Sequence, residues 1–396
     1  MKGESVPIGR RVAYLRVRRR LSQQSFADQL GKSKSWVDKV ERGVRSLERV
    51  STIRDIAAVL RVDAATLLGR DLQRPEAVER NAGVAEIRAA LSAYEIALGR
   101  PAGGRRVLSP DRLAQEIEHA WSTYQHARYP RLVELLPALL TEVHRAHAQD
   151  PAACRTAVVE AYRVTAALLV KLDEASLAWL AADRAISVAA GDRLLVACAA
   201  VQLGQALPAR ARPVMLAAAY RIAPSDLDDG TPEELALCGT LLLRAALMAA
   251  GSGDERATVD LLDEAGEMAA QLGDGHDHHR TAFGPTAVEL ARTTAAVELG
   301  DVRQAITLHQ RVTKRDGWRS LPVERRAAHL IETARAYLHT AAPGAAARVL
   351  LQADHIAPAE VRNRPAGRAT VAQVARDPDA PTTITELARA LGVICS

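Results

Sequence analysis

The sequence has very few aromatic residues. Only 3% of its 396 residues are aromatic, two of them phenylalanine, although hydrophobic residues make up 48%. Alanine and leucine must therefore supply most of the core, and small side chains allow helices to pack closely. This composition is typical of an all-α protein. A chain of this length exceeds the usual limit for a single hydrophobic core, so we expect two or more units.

Cysteines are also scarce and show no short paired spacing. Three of the four, Cys154, Cys198 and Cys238, lie 44 and 40 residues apart in apolar segments. This spacing favours small core residues over disulfides or a zinc site. Residues 276–279 read His-Asp-His-His, and both side-chain types can bind metals. They lack the i, i+4 spacing of a helical metal site and lie in a loop bounded by glycine and aspartate, so we expect a solvated loop and no metal.

The sequence lacks the motifs that carry common enzymatic chemistry. It contains no phosphate-binding glycine loop, no HExxH and no GxSxG. No uncharged apolar run reaches 18 residues, and the N-terminal segment is too charged for a signal peptide. We therefore expect no enzymatic activity, no cofactor and no membrane span, and a cytoplasmic location.

Positive charge is concentrated at the N-terminal end. Residues 1–70 contain 16 lysines and arginines and seven acidic residues, a net charge of +9, whereas the whole chain carries +5. The remainder must therefore sum to −4. Three of the six lysines, Lys32, Lys34 and Lys39, fall within eight residues. A basic helix is often only a solvated face, but this clustering is suited to a phosphate backbone.

Residues 21–43 contain two short amphipathic segments separated by Gly31. Ser22 and Ser33 are placed to cap the two helices, because a serine hydroxyl accepts a hydrogen bond from an unpaired amide of the first turn. The second segment buries its valines and leaves polar side chains on the other face: Lys34, Ser35, Asp38 and Lys39. This pattern predicts a helix-turn-helix, whose second helix enters the DNA major groove.

The same stretch resembles the Cro/C1-type helix-turn-helix of the XRE family of transcriptional regulators. The matching residues are Leu-Ser-Gln at 21–23, Ala27, Gly31, Ser-Lys-Ser-Trp at 33–36 and Glu-Arg-Gly at 41–43. The resemblance continues through a fourth helix at 46–60 and a closing segment at 63–69. It implies a five-helix DNA-binding domain over residues 1–70.

The resemblance also implies roles for individual residues. Four side chains would face base edges: Ser33, Lys34, Ser35 and Lys39. Three would bind phosphates, which set the register on the duplex: Gln23, Arg42 and Arg45. Arg16 and Glu41 match the family's internal ion pair and would have a structural role. Trp36 would either pack on the sugar-phosphate edge or be partly buried.

Residues 71–110 are predicted to be a linker with one helix, at 84–98, followed by a glycine- and proline-rich hinge at 99–106. Helix should restart at residues 109–111, with Ser109 or Asp111 as the cap and a proline in the first turn. Residues 111–396 then form the C-terminal domain. The last helix of that domain is expected at 385–391, capped by Thr382 or Thr383.

The C-terminal domain contains an internal repeat. Residues 219–224 and 353–358 nearly coincide, each with an alanine five residues before a proline and a leucine three residues before that alanine. This pattern resembles the second helix of a tetratricopeptide repeat. The Gly-Asp pairs at 191 and 273 lie 82 residues apart, which gives units of about 41 residues, longer than the roughly 34 of the standard repeat. We predict a tetratricopeptide-like solenoid of helical hairpins; the alternative is a generic helical array.

The expected hairpins cover residues 111–150, 154–191, 194–224, 234–273, 283–315 and 323–357. Two further segments, Phe-Gly-Pro-Thr at 283–286 leading into 297–301, and residues 356–365, resemble actinobacterial regulators that join an XRE domain to such an array.

The leading hypothesis is a sequence-specific transcriptional regulator that binds double-stranded DNA as a homodimer at an inverted-repeat operator. It would associate with the nucleoid and sense a small-molecule or peptide effector through its array. The alternative is a tetratricopeptide interaction scaffold tethered to DNA. Related regulators clamp peptides with inner-helix asparagines, and this chain has only Asn81 and Asn363. An anionic small molecule is therefore an option, with these inner-helix candidates: Arg163, Gln202, Gln205, Arg244 and Arg292.

Overall fold

The computed structural model describes residues 8–19, 21–45, 47, 50–60, 75–93, 107–207 and 211–394. All regular elements in these ranges are helices, so the all-α prediction is confirmed. The chain divides into two compact units, which we call the N-terminal unit (Met1–Ala82) and the array unit (Gly83–Ser396).

The N-terminal unit contains four described helices before residue 61: α1 Ile8–Arg18, α2 Gln23–Gln29, α3 Lys34–Glu41 and α4 Val50–Leu60. Their apolar faces meet in one core around Phe26: Val12, Ala27, Val37, Ile53, Ile56, Ala57 and Leu60. Helix α4 begins at Val50, later than the predicted residue 46. The predicted closing helix at 63–69 lies outside the described residues.

Helix α1 approaches α3 closely at Gly9. A Cβ atom added at Gly9 would lie 2.0 Å from the carbonyl oxygen of Val40, a backbone atom at the end of α3. Only glycine leaves room for this contact, because the opposing atom cannot rotate away. Gly9 thus sets the distance between the first helix and the third.

Helix α5, Pro75–Leu91, occupies the predicted linker. It starts earlier than the expected residue 84 because Pro75 stands at the beginning of the helix, where the missing amide hydrogen is tolerated. It also ends before the predicted residue 98. Val84, Ile87 and Leu91 in its second half belong to the main core of the array unit. The predicted hinge at 99–106 lies outside the described residues.

Six helical hairpins follow. Their helices are α6 Pro110–Gln125 and α7 Tyr129–Gln149; α8 Pro151–Lys171 and α9 Ala175–Ala189; α10 Arg193–Ala206 and α11 Arg212–Ile222; α12 Pro232–Gly251 and α13 Glu255–Leu272; α14 Pro285–Glu298 and α15 Val302–Val312; and, after the short α16 Gly317–Ser320, α17 Val323–His339 and α18 Pro343–Ile356. This arrangement agrees with the predicted succession of hairpins.

The first helix of each hairpin packs against the first helix of the next, in the order α6, α8, α10, α12 and α14. These inner helices are rich in buried alanine, and the second helices form the outer layer. Gly239 on α12 shows how tightly α12 packs against the segment that leads into α14: an added Cβ would lie 2.0 Å from the ring of Phe283. Small residues on the inner helices therefore make the close packing possible.

The array returns on itself, because α17 contacts α6 as well as its sequence neighbours. A buried ionic network joins these distant segments. Lys171 Nζ lies 2.7 Å from both Glu324 Oε2 and Glu360 Oε1, and Arg364 Nη1 lies 3.2 Å from Glu360 Oε2. The hydroxyl of Tyr129 also donates to Glu360. The inner helices therefore enclose a space.

Three short helices end the described chain: α19 Pro358–Arg362, α20 Pro365–Val374 and α21 Thr382–Leu391. Helix α21 begins at Thr382, so the prediction that Thr382 or Thr383 caps a helix starting at 385 is wrong. Pro381 precedes the helix, and no side chain caps it. Pro381 fixes the backbone φ at −59° immediately before the helix.

Among the described helices, α12 is long and apolar enough to cross a membrane by length and composition, but 72% of its most apolar stretch is buried inside the protein. The central helix of a packed domain has the same composition. Its position among the inner helices accounts for its apolar character.

Candidate nucleic-acid interface and inner cavity

Helices α2 and α3 form the predicted helix-turn-helix. Ser22 Oγ accepts a hydrogen bond of 3.0 Å from the Ser25 amide, and Ser33 Oγ accepts one of 3.2 Å from the Trp36 amide. Gly31 between the helices has a φ of +62°, in the left-handed region that favours glycine. The two serine caps and this turn fix where α3 begins.

The candidate base-reading residues lie on the exposed side of α3. Ser33, Lys34, Ser35 and Lys39 are all exposed, whereas Val37 and Val40 on the opposite side are buried. In the described part of the chain, neither Lys34 nor Lys39 has an ion-pair partner. This side of α3, which we call the reading face, is therefore available to a ligand.

A cluster around Glu41 braces α3 against α1 and α2. Arg16 Nε lies 2.6 Å from Glu41 Oε1, and its Nη1 donates to the carbonyl oxygen of Leu21 at 2.7 Å. Gln23 Nε2 donates to Glu41 Oε2 at 2.7 Å. The Arg16–Glu41 pair thus has the geometry that the resemblance implies. Gln23, predicted as a phosphate contact, has a structural contact that the sequence pattern did not reveal.

The remaining phosphate-contact candidates, Arg42 and Arg45, are exposed beyond the end of α3. Arg42 forms an ion pair with Asp38 one turn earlier, which holds its guanidinium beside the reading face. Trp36 is half-buried and packs against the core of the unit. Of the two readings of Trp36, partial burial is the one found in the structure.

A cavity of about 860 Å³ lies within the array unit, lined by residues of α6, α8, α10, α12, α14 and α17. Three of the inner-helix candidates, Gln202, Gln205 and Arg244, belong to its wall. The hydroxyl of Thr240, one helical turn before Arg244, is buried without a hydrogen-bond partner in the described residues. The wall therefore combines apolar side chains with an unsatisfied hydroxyl group.

The other two candidates have structural contacts elsewhere. Arg163 is buried, pairs with Glu160, donates from Nε to Gln202 Oε1 at 3.0 Å, and lies 5.3 Å from the centre of the Trp121 ring. Arg292 lies 2.8 Å from Asp263. Neither lines the cavity.

Sequence reasoning did not identify Arg325 or Thr240 as cavity residues. Arg325 lies on α17 and donates through Nη1 to the carbonyl oxygens of Thr281 and Ala282, the latter at 3.1 Å. Arg325 reaches the cavity because α17 folds back to contact α6 at the start of the array. Such a contact between distant segments leaves no periodic signal in one sequence.

The His-Asp-His-His loop has a structural role. Asp277 Oδ1 accepts a hydrogen bond of 2.9 Å from the Ala282 amide, and Asp277 Oδ2 accepts one of 2.7 Å from Gln125 on α6. His276 and Asp277 are exposed, but His278 and His279 are half-buried, so the expectation of a fully solvated loop holds only in part. No group of metal-binding side chains is found in the described ranges.

Comparison with known proteins bears on the N-terminal unit. A family described as a helix-turn-helix domain matches residues 7–68. No curated protein and no solved structure matches the chain. The N-terminal unit therefore contains a helix-turn-helix domain, which supports DNA binding and a role in transcription regulation. The match ends before the helices of the array unit.

Proposed function

We propose that the protein is a non-enzymatic, sequence-specific transcriptional regulator that binds duplex DNA through α3 and responds to an effector through its tetratricopeptide-like array. The observation that carries the proposal is the reading face: Lys34, Ser35 and Lys39 are exposed on a helix whose opposite side is buried. A recognition helix needs this division, because one side must anchor the helix while the other enters the groove.

The surroundings of the reading face support the assignment of roles. The Arg16–Glu41 pair and the two serine caps hold α3 in a fixed orientation, so its side chains can meet base edges in one register. Arg42 and Arg45 continue the positive charge beyond the helix. We infer that these two arginines and Gln23 contact phosphates, while Ser33, Lys34, Ser35 and Lys39 read bases.

We further propose that the protein acts as a homodimer in the cytoplasm on an inverted-repeat operator. A single recognition helix reads only a few base pairs, and two-fold symmetry places two such helices about one turn of DNA apart. The array would then shift the equilibrium between dimers that can and cannot bind both half-sites. The cavity within the array unit supports a sensing role, because ligand sites are commonly concave and largely apolar.

The proposal is tested by selecting duplexes from a random pool with the purified full-length protein at moderate salt, followed by footprinting. We expect enrichment of an inverted repeat whose half-sites are centred about 10 base pairs apart. The double variant Lys34→Ala, Lys39→Ala is the matched control and should enrich no sequence. If the unaltered protein enriches no duplex, the regulator proposal is wrong, and an interaction scaffold becomes the better reading.

A further inference from the structure

The cavity within the array unit contains a positive charge that the protein itself does not neutralise. Arg244 on α12 lines the cavity and makes no hydrogen bond or ion pair with another side chain in the described ranges. Burial lowers the pKa of Arg244, with Tyr124 and Glu324 opposing that effect only through their more distant charges. Arg244 is half-buried at the cavity wall, and a guanidinium there without a carboxylate partner is available to an anionic ligand.

Arg325 adds to this positive potential from the facing helix α17. Its known partners are two backbone carbonyl oxygens, which satisfy hydrogen bonds but carry no full charge. Burial, followed by the nearby charge of Arg244, lowers the pKa of Arg325 to about 10. The two guanidinium groups therefore repel each other across the cavity.

The other cations of the wall are neutralised by carboxylates. Lys171 lies between Glu324 and Glu360, Arg212 lies 3.0 Å from Asp254, and Arg364 lies 3.2 Å from Glu360. Arg280 pairs with Glu118. Only Arg244 and Arg325, among the cations that line the cavity, lack a carboxylate partner in the described residues.

The rest of the wall defines what else the ligand must carry. Trp121, Leu243, Leu247 and Leu290 face the cavity with apolar surface. Thr240 lies one turn from Arg244 on the same side of α12, and its hydroxyl has no partner. An apolar body with one polar, negatively charged end matches this division.

We propose that the cavity binds a small amphipathic organic acid, a monocarboxylate with an aliphatic or aromatic body, whose carboxylate is held by Arg244 and Thr240. Arg325 strengthens the binding through its charge. Three carboxylates also line the cavity, those of Glu298, Glu324 and Glu332. Glu324 is paired with Lys171 and Glu332 with Arg335, which leaves Glu298 to oppose additional negative charge. A monocarboxylate is therefore favoured over a doubly charged phosphate. The role of this site in controlling DNA binding rests on the proposed function, but ligand binding itself does not.

Binding is measured on the full chain without DNA, using two naphthalene probes that differ in one charged group. The anionic probe is 8-anilinonaphthalene-1-sulfonate and the neutral probe is N-phenyl-1-naphthylamine. We expect saturable binding of one sulfonate probe per chain and at least tenfold weaker binding of the neutral probe. Decanoate should displace the sulfonate probe, and decyl phosphate should do so less well.

The diagnostic variant is Arg244→Met, which retains the volume of the side chain and removes its charge. It should weaken binding of the anionic probe at least tenfold and leave the neutral probe unaffected, because charged hydrogen bonds are the strong ones. The free variant should also have a higher melting temperature than the unaltered protein, since it removes the repulsion between Arg244 and Arg325. A side chain required only for folding would give the opposite shift.

Arg292→Met is the matched control, because Arg292 is an inner-helix arginine that pairs with Asp263 outside the cavity. It should leave both probes unaffected. The proposal is overturned if Arg244→Met binds the anionic probe normally, if both probes bind equally well, or if neither the sulfonate probe nor decanoate binds saturably. These outcomes leave the DNA-binding proposal intact, which the duplex selection tests separately.

Discussion

The N-terminal unit and the array unit place positive charge in opposite environments. On α3, Lys34 and Lys39 extend into solvent from a helix anchored by its apolar side. In the array unit, Arg244 is half-buried at the wall of a cavity, whereas Arg163 is buried and bonded to Glu160, Gln202 and the carbonyl oxygen of His279. Both units carry cations, but the unpaired lysines of α3 lie at the surface, whereas the unpaired arginine Arg244 lies at a cavity wall.

The difference follows the chemistry of the two side chains. Lysine is strongly hydrated and flexible, which suits an exposed contact, whereas the guanidinium of arginine is more weakly hydrated and forms ordered hydrogen bonds in buried sites. Half of the six lysines lie at positions 32–39, where exposure is needed. The position of the positive charges, more than their number, therefore distinguishes the two units. The surface of α3 suits an extended polyanion, whereas the cavity suits a small anion.

The largest loss of stability is expected from a substitution in the ionic network around Glu360. Glu360 is completely buried and contacts Lys171, Arg364 and Tyr129. Glu360→Gln removes the carboxylate partner of Arg364 and leaves Lys171 with Glu324 alone, so the free energy of unfolding should fall by about 3–5 kcal/mol. Chemical denaturation of the full chain measures this loss.

Glu116→Gln provides the control, since Glu116 pairs with Arg112 in an exposed i, i+4 contact. Such pairs contribute less than about 1 kcal/mol. If both substitutions lowered the free energy of unfolding equally, burial would not determine how much an ion pair of the array unit contributes to stability.

Gly9→Ala should destabilise the N-terminal unit by about 2–3 kcal/mol. The new methyl group would overlap the carbonyl oxygen of Val40, and overpacking against backbone forces α1 away from α3. Hydrogen exchange should show loss of protection in α1 to α4. The control is Gly344→Ala in the first turn of α18, where an added Cβ meets open space; that variant should be as stable as the unaltered protein.

Acid should destabilise the array unit before the N-terminal unit. His309 and His329 are buried in contact, with Nδ1 of the first 3.0 Å from Nε2 of the second. Burial lowers the pKa of His309 from 6.5 to about 4, and burial with the neighbouring His309 lowers that of His329 to about 3. Between about pH 6.5 and 4 the unfolded chain therefore binds more protons than the folded one, and stability falls as the pH falls.

The loss should reach about 2 kcal/mol for each histidine at pH 5 relative to pH 7. All eleven histidines lie at or after residue 119, so the N-terminal unit has none. Circular dichroism melts between pH 7 and 5 measure the effect. His355→Asn, at an exposed position, should leave the pH dependence unchanged; a flat profile for the unaltered protein would contradict the prediction.

Local signals in the sequence predicted the helix-turn-helix well, because serine caps, Gly31 and the buried valines act within a few residues. Helical hairpins were predictable for the same reason. The helices that begin at Pro75 and Thr382 start earlier than the predicted residues 84 and 385, because a proline at or just before the first residue marks the start of a helix. The cavity could not be predicted, since Arg325 meets α12 only through closure of the array.

The reading face itself is tested by comparing Lys39→Ala with Arg42→Ala on a selected operator and on random duplex. If Lys39 reads a base edge, its loss should cost roughly 1–3 kcal/mol on the operator and relax the preferred base, with little effect on random DNA. Arg42 is already paired with Asp38, so Arg42→Ala should weaken binding to both duplexes by a similar, smaller amount. Lys314→Ala, an exposed lysine of the array unit, should change neither affinity. Equal losses on both duplexes for Lys39→Ala would make Lys39 a phosphate contact and leave sequence reading to Lys34 and Ser35.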